Sequence, residues 1–310
     1  MRVLVTGADG FAGRHLVIAL LSRGHQVRAA VRPDGAAAAL PAGVPVVSLE
    51  LTDGSSVDAA LAEPCDAIAH LAALASNAEA RRDPGAAWVV NAAGTARVAE
   101  AAARLRDSGA ADPRLLVVSS GEVYGEATRP LTESDEPRPQ SPYAASKVGA
   151  EVAALEVGRR TGLGVIVARP FTHTGPGQRS VFFVPAMLDR LREAKASGRD
   201  SVRVGNLTPV RDLTDVRDVV RAYVLLLEEG EPGATYNVSR GDGVALTDLF
   251  DRMAAAVGVD VTPEPDPALM RRADLPYLVG DSTKLRRTTG WSPSIDLDQT
   301  LADMLDAETH

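Results

Sequence analysis

The sequence is poor in cysteine, in basic runs and in long apolar stretches, and each shortage excludes a class of protein. Cys65 is the one cysteine in 310 residues, so no intrachain disulfide can form and a reducing, cytoplasmic setting is expected. The net charge is −8 and Lys and Arg form no cluster, so nucleic acid is not expected as a partner, because phosphate binding needs such clusters. The five histidines lack metal-ligand spacing, so no metal is expected.

The apolar content of the chain predicts a globular core rather than a membrane segment. The apolar stretch Leu16–Leu21 is far shorter than the about 20 residues that a helix needs to span a bilayer. No leader precedes the first predicted strand, which starts near Arg2. Hydrophobic residues make up 45% of the chain and charged residues 24%, which is typical of a globular protein, so no membrane partner is expected.

Short apolar runs alternate with amphipathic or alanine-rich segments along the first half of the chain. Strands are predicted at Val3–Thr6, Gln26–Val31, Pro45–Leu49, Ala67–His70, Leu115–Ser119 and Val165–Ala168. Helices are predicted near 11–23, 55–63, 84–106 and 141–161. This alternation predicts an α/β fold with a doubly wound parallel sheet, and the apolar strands fit a sheet that is buried on both faces.

The rhythm changes after Arg169 and predicts a smaller C-terminal α/β lobe. Loops rich in Gly and Pro alternate there with predicted helices near 183–196, 214–229 and 246–257. Prolines 263, 265 and 267 predict an irregular segment, whereas the 214–238 stretch is expected to return to the main sheet. We therefore assign residues 1–169 with about 210–240 to one domain, and 170–209 with 241–310 to the second lobe.

A glycine-rich loop joins the first predicted strand to the first predicted helix. Gly7 permits a tight turn, Gly10 lets the backbone approach a pyrophosphate, and Gly13 allows the helix to pack closely on the strand. The free N–H groups and positive dipole of the helix N-terminus would then bind phosphate. The loop indicates a Rossmann-type dinucleotide site, and its spacing resembles the short-chain dehydrogenase/reductase superfamily. The expected cofactor contacts are Gly7, Gly10, Phe11, Ala12 and Gly13.

The end of the second predicted strand favours NADP(H) over NAD. An NAD site usually has an acidic residue there for the ribose hydroxyls, but this chain has Val31 followed by Arg32. A guanidinium suits the 2′-phosphate of NADP, although Arg32 as a solvated loop residue is the alternative. Glu50 and Leu51, after the third strand, are expected near the adenine, although a surface carboxylate explains Glu50 nearly as well.

The segment 141–147 combines a helix start with an acid–base pair. Ser141 can cap the helix and Pro142 occupies a favoured first position. Tyr143 and Lys147 are four residues apart, so they share one helix face. A free tyrosine has a pKa of about 10, and the Lys147 ammonium is expected to lower the pKa of Tyr143 toward the range that is useful for proton transfer.

A serine upstream completes the predicted catalytic set. Ser120 follows the fifth strand, at the sheet edge where α/β folds bind ligands. The set predicts hydride transfer from a nicotinamide to a ketone carbon, with Tyr143 protonating the oxygen while Ser120 and Lys147 position and polarise the pair. Ser119 is expected to be structural, and Tyr124 to pack or to bind substrate rather than to catalyse.

With these motifs, the chain resembles the extended short-chain dehydrogenase/reductases that act on nucleotide sugars. The resemblance covers nearly the whole chain, and it implies cofactor contacts from Leu71, Ala72 and Ala73 after the fourth strand and from Asn91 on the next helix. Segments 169–178, 204–218 and 271–284 look like the GDP-4-keto-6-deoxy-mannose reductases, and the GDP-mannose 4,6-dehydratases share parts of them.

The same resemblance implies a nucleotide-sugar site. It places Arg211 and Arg271 on the diphosphate, which also fits guanidinium geometry, and Asp274 on the nucleotide ribose. Further substrate contacts are implied for Glu122, Thr172 and Gln178, and further cofactor contacts for Pro170 and His173.

Several departures from the family pattern bear on the reaction. The family usually has asparagine at the position of Thr172 and proline at that of Arg272. Dehydratases of the dTDP-glucose type carry an Asp-Glu pair where this chain has Gly121 and Glu122, so one acid–base carboxylate is missing. No Cys/His pair suits C3/C5 epimerisation, since Cys65 lies outside the predicted site.

These features predict NADPH-dependent reduction of the C4 ketone of a 4-keto-6-deoxyhexose linked to GDP or dTDP. The alternatives are a nucleotide-sugar C4 epimerase or 4,6-dehydratase with tightly bound NAD(P), and a non-catalytic nucleotide sensor, against which the intact Ser120, Tyr143 and Lys147 argue. Relatives pair the helices near 84–106 and 141–161 in a four-helix bundle, so a homodimer is expected; the alternative is that both faces cover only the sheet.

Overall fold

The computed structural model describes residues 1–270 and 275–307. The strands are β1 Arg2–Thr6, β2 Gln26–Val31, β3 Val46–Ser48, β4 Ala67–His70, β5 Arg114–Val118, β6 Gly164–Pro170, β7 His173–Thr174, β8 Ser201–Val204, β9 Val210–Asp212, β10 Thr214–Asp215, β11 Thr235–Val238, β12 Gly243–Ala245, β13 Thr262–Pro265 and β14 Tyr277–Leu278. Seven of them form one parallel sheet in the order β11-β6-β5-β4-β1-β2-β3. The predicted α/β fold with a doubly wound parallel sheet is confirmed.

Helices flank this sheet and build the second lobe. They are α1 Phe11–Ser22, α2 Gly54–Ala60, α3 Asn77–Arg82, α4 Pro84–Ala87, α5 Gly94–Asp107, α6 Pro142–Thr161, α7 Phe183–Ser197, α8 Val216–Glu229, α9 Leu246–Val257, α10 Thr283–Thr289 and α11 Leu297–Ala307. A π-helical segment, Trp88–Ala93, joins α4 to α5, so the helix predicted near 84–106 is present and is π-helical over these residues. Within the described residues, no helix is both long and apolar enough to cross a membrane.

The strands bury both faces because alternate side chains point to opposite sides of the sheet. Val3 and Val5 of β1 join a core with Leu16 of α1 and Tyr223 of α8, whereas Leu4 faces a second core that α2, α5 and α6 cover. The expected return of the 214–238 stretch is also confirmed, because β11 pairs with β6 at the sheet edge. This layering places the carboxyl ends of β1, β4, β5 and β6 along one edge.

The second lobe has its own core between α7, α9 and α11. Small sheets pair β8 with β13 and β9 with both β12 and β14. The irregular segment predicted from Pro263 and Pro265 is therefore wrong, because Thr262–Pro265 forms a strand parallel to Ser201–Val204. Proline is tolerated there because a strand with one partner needs N–H donors along one side only.

Candidate active site

The predicted glycine loop has the geometry of a phosphate cradle. Gly7 has φ +66°, and a Cβ there would lie 2.8 Å from the Ala72 nitrogen, so only glycine fits without strain. A Cβ on Gly13 would lie 2.1 Å from the Gly7 carbonyl oxygen, so this glycine sets the close approach of α1 to the loop. Gly10 precedes α1, and no side chain caps that helix, which leaves its first N–H groups directed at the loop. These residues fit a bound dinucleotide.

The loop after β6 lies against the start of α1. The His173 ring is parallel to the Phe11 ring at 6.1 Å, and its Nδ1 is 3.0 Å from the Phe171 carbonyl oxygen. Arg14 donates a 3.0 Å hydrogen bond to the Gly177 carbonyl. The structure therefore brings His173 beside the start of α1 and buries Pro170 at the end of β6, and the cofactor contacts of both residues stay predictions.

Arg32, which follows β2, lies at the solvent-exposed edge of the glycine loop. Its side chain is 71% exposed and its Nε is 3.6 Å from Asp34, so the guanidinium is not buried in the fold. The Asp9 carboxylate accepts a 3.0 Å hydrogen bond from the Ala36 nitrogen, which ties the segment after β2 to the glycine loop. Asp9 therefore holds the turn that follows Arg32 against the glycine loop.

Glu50 and Leu51 differ in their surroundings. Glu50 Oε1 accepts hydrogen bonds from the Thr52 nitrogen at 2.9 Å and hydroxyl at 2.7 Å, so one carboxylate oxygen is used within the turn. Leu51 is buried, and a Cβ on Gly94 would lie 2.9 Å from its own Cβ. The adenine contact of Glu50 stays a prediction, while Leu51 packs β3 against α5.

Asn91 lies in the π-helical segment and shapes the loop after β4. Its Oδ1 accepts from the Leu74 nitrogen at 2.8 Å, and its Nδ2 donates to the Leu74 carbonyl and to the Ser146 hydroxyl. Because Asn91 is 1% exposed, these bonds satisfy it inside the protein. Asn91 therefore fixes the loop that carries Leu71, Ala72 and Ala73, and its cofactor contact stays a prediction.

The three predicted catalytic residues converge at the carboxyl edge of the sheet. Ser141 caps α6 by accepting from the Ala144 nitrogen at 3.1 Å, as predicted, and this helix carries Tyr143 and Lys147. Lys147 is buried, and its Nζ donates a 2.6 Å hydrogen bond to the Val118 carbonyl at the end of β5. Ser120, two residues further along the chain, is hydrogen-bonded to the Tyr143 hydroxyl.

The electrostatics of Tyr143 correct one expectation. Burial and the Glu122 charge raise the pKa of Tyr143 above its usual value, and the Ser120 hydrogen bond offsets only part of this. The predicted lowering by Lys147 is wrong for this structure, because the lysine donates to Val118 and burial lowers its own pKa to about 8. A phenol is protonated at neutral pH even at its usual pKa of about 10, so Tyr143 can donate a proton there.

Beside the catalytic set, Glu151 and Arg169 form a buried ion pair, and this pair accounts for the positions of Ser119 and Tyr124. Glu151 accepts hydrogen bonds from the Ser119 hydroxyl and from Arg169, whose Nη2 is 2.6 Å away. Tyr124 donates a 2.7 Å hydrogen bond to Asn237 and lies under the Arg169 guanidinium. Ser119 is thus structural, as expected. Tyr124 packs in the fold, which is one of the two roles expected for it, the other being substrate binding.

Glu122, the carboxylate near the catalytic set that is predicted to bind substrate, is hydrogen-bonded to Asn77, which was not among the predicted site residues. Asn77 Nδ2 donates to both oxygens of Glu122, at 3.0 and 2.9 Å. Sequence reasoning missed Asn77, since a residue 45 positions away carries no local signal of this contact. Asp9 was missed for the same reason, although it lies inside the glycine loop.

The remaining predicted substrate residues that the structure describes are Thr172 and Gln178, in the segment after β6, and Arg211, on β9. Gln178 accepts from the Thr174 hydroxyl at 2.6 Å and donates to the His173 carbonyl, so its amide shapes this turn. Thr172 is half-buried where its carbonyl accepts from the Thr214 nitrogen, and Arg211 is half-buried on β9. The substrate contacts of these residues stay predictions, and Arg271, Arg272 and Asp274 lie outside the described residues.

Comparison with known proteins identifies the family. The model of the NAD dependent epimerase/dehydratase family matches residues 3–239. GDP-6-deoxy-D-mannose reductase of Pseudomonas aeruginosa is 36% identical, covering 98% of this chain and 96% of that protein. UDP-glucose 4-epimerase of Mycolicibacterium smegmatis is 35% identical, covering 97% and 96%. The structure of RMD from Pseudomonas aeruginosa complexed with NADPH matches with a TM-score of 0.85 and 33% identity, covering 99% and 98%. The chain belongs to the NAD dependent epimerase/dehydratase family and is an extended short-chain dehydrogenase/reductase.

Proposed function

We propose that the protein catalyses NADPH-dependent reduction of the C4 ketone of a nucleotide-linked 4-keto-6-deoxyhexose. The observation that carries this proposal is the convergence of Ser120, Tyr143 and Lys147 at the carboxyl edge of the sheet, beside the end of β5. A ketone that accepts hydride needs a proton on its oxygen, and a protonated phenol at the site supplies one. The 36% identity to a GDP-6-deoxy-D-mannose reductase supports the same reaction.

Each catalytic side chain has a distinct part in this reaction. The nicotinamide supplies the hydride when NADPH is bound. Tyr143 donates its hydroxyl proton to the ketone oxygen, and Ser120 donates a hydrogen bond that holds this oxygen in place. Lys147 lies one helical turn from Tyr143, is held by its hydrogen bond to Val118, and is proposed to supply positive charge to the site.

The choice of NADP(H) rests on Arg32 and on the lack of an acidic residue at the end of β2. Val31 ends this strand, and the exposed Arg32 guanidinium follows it. A guanidinium binds phosphate oxygens through charge-assisted, bidentate hydrogen bonds. The relative with NADPH bound supports this choice. The single buried thiol, Cys65, suits a reducing compartment, and we place the enzyme in the cytoplasm.

The substrate is proposed to bind between two structural units. We assign the cofactor to residues 1–169 with about 210–240, and the nucleoside diphosphate to residues 170–209 with 241–310. Thr172, Gln178 and Arg211 line the boundary in this proposal, together with Arg271 and Asp274. GDP and dTDP both stay open as the nucleotide.

An epimerase or dehydratase is the second candidate, since a UDP-glucose 4-epimerase is 35% identical to this chain. Stoichiometry separates the two candidates. A reductase consumes one NADPH for each sugar, whereas an epimerase or dehydratase returns its hydride to the sugar and consumes none.

The test is a panel of GDP-, dTDP-, UDP- and CDP-linked 4-keto-6-deoxyhexoses, each with NADPH or NADH. The proposal expects stoichiometric NADPH oxidation with a GDP- or dTDP-sugar, and NMR of the product gives the configuration at C4. Interconversion of sugars without net NADPH oxidation, in enzyme that keeps its cofactor through purification, would establish the second candidate instead.

We also propose that the enzyme is a homodimer that pairs the 84–106 and 141–161 helices of two copies. Three large apolar side chains are exposed on this face: Trp88 at 47%, Val89 at 46% and Val152 at 59%. A Cβ on Gly149 would lie 2.5 Å from the Trp88 ring, and Val152 is one turn further along α6, so Trp88 and Val152 are neighbours. Covering such a patch favours self-association.

A further inference from the structure

The hydrogen bonds of Asn77 show that its amide is oriented by one carboxylate. Asn77 is the first residue of α3, and its Nδ2 reaches Glu122 Oε1 at 3.0 Å and Oε2 at 2.9 Å. Its own Oδ1 is buried and has no hydrogen-bond partner among the described residues. An unpaired buried acceptor destabilises the fold, so the bonds to Glu122 determine how this amide lies.

The carboxylate that Asn77 holds lies at the catalytic set. Glu122 is in the 3₁₀ turn Gly121–Tyr124, and its nitrogen donates to the Ser120 hydroxyl at 3.2 Å. Its charge contributes to raising the pKa of Tyr143, so the carboxylate lies near the phenol. An ionised carboxylate has about four acceptor positions. Asn77 occupies two of them, and the others are free to accept from a ligand beside the reacting carbonyl.

The hydrogen-bonding chemistry of Asn77 and Glu122 favours a hydroxyl as the ligand group. A carboxylate and an amide oxygen only accept hydrogen bonds, so they repel a carbonyl or a phosphate and attract a hydroxyl. Building on the proposed function, we propose that Asn77 is a positioning residue that holds Glu122 as the acceptor for a sugar hydroxyl next to the carbon that is reduced. The pair would then select hexoses that keep the C3 hydroxyl over 3-deoxy sugars.

Binding to the NADP⁺-loaded enzyme tests this role without requiring turnover. Calorimetry would compare GDP- and dTDP-linked 6-deoxyhexoses with their 3-deoxy analogues. The wild type is expected to bind the hydroxylated sugar about 10- to 100-fold more tightly, the range for a hydrogen bond to a charged group. Asn77→Asp has the same shape but no donors and repels Glu122, so this preference should fall to about twofold or less while the 3-deoxy sugar binds as before.

A swapped pair separates positioning from folding. The double variant Asn77→Asp with Glu122→Gln restores an amide–carboxylate hydrogen bond with the two roles exchanged. It should recover the melting temperature that Asn77→Asp loses, but not the preference for the hydroxylated sugar. Asn77→Ala provides the same comparison if the aspartate variant does not fold.

Three results would overturn the proposal: no preference in the wild type, a preference that survives in Asn77→Asp and Asn77→Ala, or equal weakening of both sugars. Failure of ketone reduction in the substrate panel would refute the proposed function. The calorimetry does not require turnover, so it would still decide the role of Asn77.

Discussion

At the scale of single residues, Tyr143 is the group whose removal tests the reaction directly. Tyr143→Phe deletes the hydroxyl that donates the proton and keeps the ring. The turnover rate should fall about 10²- to 10⁴-fold, the usual contribution of general acid–base catalysis. NADPH affinity, measured by fluorescence titration, should stay within about twofold because the glycine loop is unchanged. Unchanged turnover would exclude Tyr143 as the acid.

Lys147 sets the alkaline limit of activity. Burial lowers its pKa from 10.5 to about 8, so the ammonium is lost at a lower pH than in an exposed lysine. Since the proposed reaction needs the positive charge of Lys147 at the site, kcat should fall as the pH rises through about 8. Lys147→Arg keeps a charge at all these pH values and should move the falling limb upward. If kcat fell at the same pH in both proteins, the loss of activity at alkaline pH would belong to a group other than Lys147.

Arg32 decides the cofactor in this proposal. Its guanidinium is exposed and separated from Asp34 by 3.6 Å, so its removal leaves no buried charge unpaired. A hydrogen bond to a charged group contributes about 1.5–3 kcal/mol, so Arg32→Ala should raise KM for NADPH about 10- to 150-fold. KM for NADH serves as the internal control and should stay the same. An equal rise for both cofactors would place Arg32 away from the 2′-phosphate.

At the scale of elements, Asp212 joins three segments of the chain: the end of β9, the turn after β11 and the turn after β14. Its carboxylate accepts from the Arg240 nitrogen at 2.8 Å, the Gly241 nitrogen at 2.9 Å and the Gly280 nitrogen at 3.3 Å. Burial nevertheless raises its pKa from 3.8 to about 6. The folded state therefore binds the proton more tightly than the unfolded chain, and stability from this group falls as the pH rises from about 3.8 to about 6.

Urea unfolding at several pH values checks this sign. The raised pKa corresponds to on the order of 3 kcal/mol between acidic and neutral pH. Asp212→Asn should lose this dependence and should also be destabilised by about 1–3 kcal/mol, because an amide nitrogen cannot accept from the backbone donors. The difference in the free energy of unfolding between the wild type and Asp212→Asn should be larger at pH 4.5 than at pH 7. An equal difference at the two pH values would mean that Asp212 stays ionised throughout.

Local patterns made some elements predictable and left others hidden. The ends of α6 and α9 follow from apolar periodicity and caps within one segment, and the predicted 141–161 and 246–257 agree with the structure within one residue. The pairing of β8 with β13 joins segments about 60 residues apart, and their sequences carry no record of it. The proline-rich strand β13 was missed for this reason.

The same distinction applies to the site. Tyr143 and Lys147 are one helical turn apart, so their spacing is visible in the sequence. Burial is not visible, because it depends on the packing of α6 against the sheet, and burial sets the pKa of both residues. The bond between Asn77 and Glu122 joins α3 to the turn after β5, and only the folded chain reveals it.

At the scale of the whole molecule, hydrogen bonds join α1 and the start of α8 to the loop after β6. α1, which begins at the glycine loop, holds the loop after β6 through the hydrogen bonds of Arg14 to Gly177 and His15 to Pro176, both 3.0 Å. Thr214 donates to Thr172 and so joins the entrance of α8 to the same loop. A cofactor that orders the glycine loop would therefore also order residues proposed to bind the sugar nucleotide.

The proposed dimer makes a prediction about molecular mass. Light scattering should give about twice 32.4 kDa for the wild type, because pairing covers the exposed Trp88 and Val152. Val152→Glu places a charge in the middle of the apolar face, and burying that charge without a partner is unfavourable, so this variant should approach 32.4 kDa. Val181, 70% exposed and outside these helices, offers the matched control: Val181→Glu should keep the wild-type mass. A monomeric wild type would mean that both helices serve only to cover the sheet.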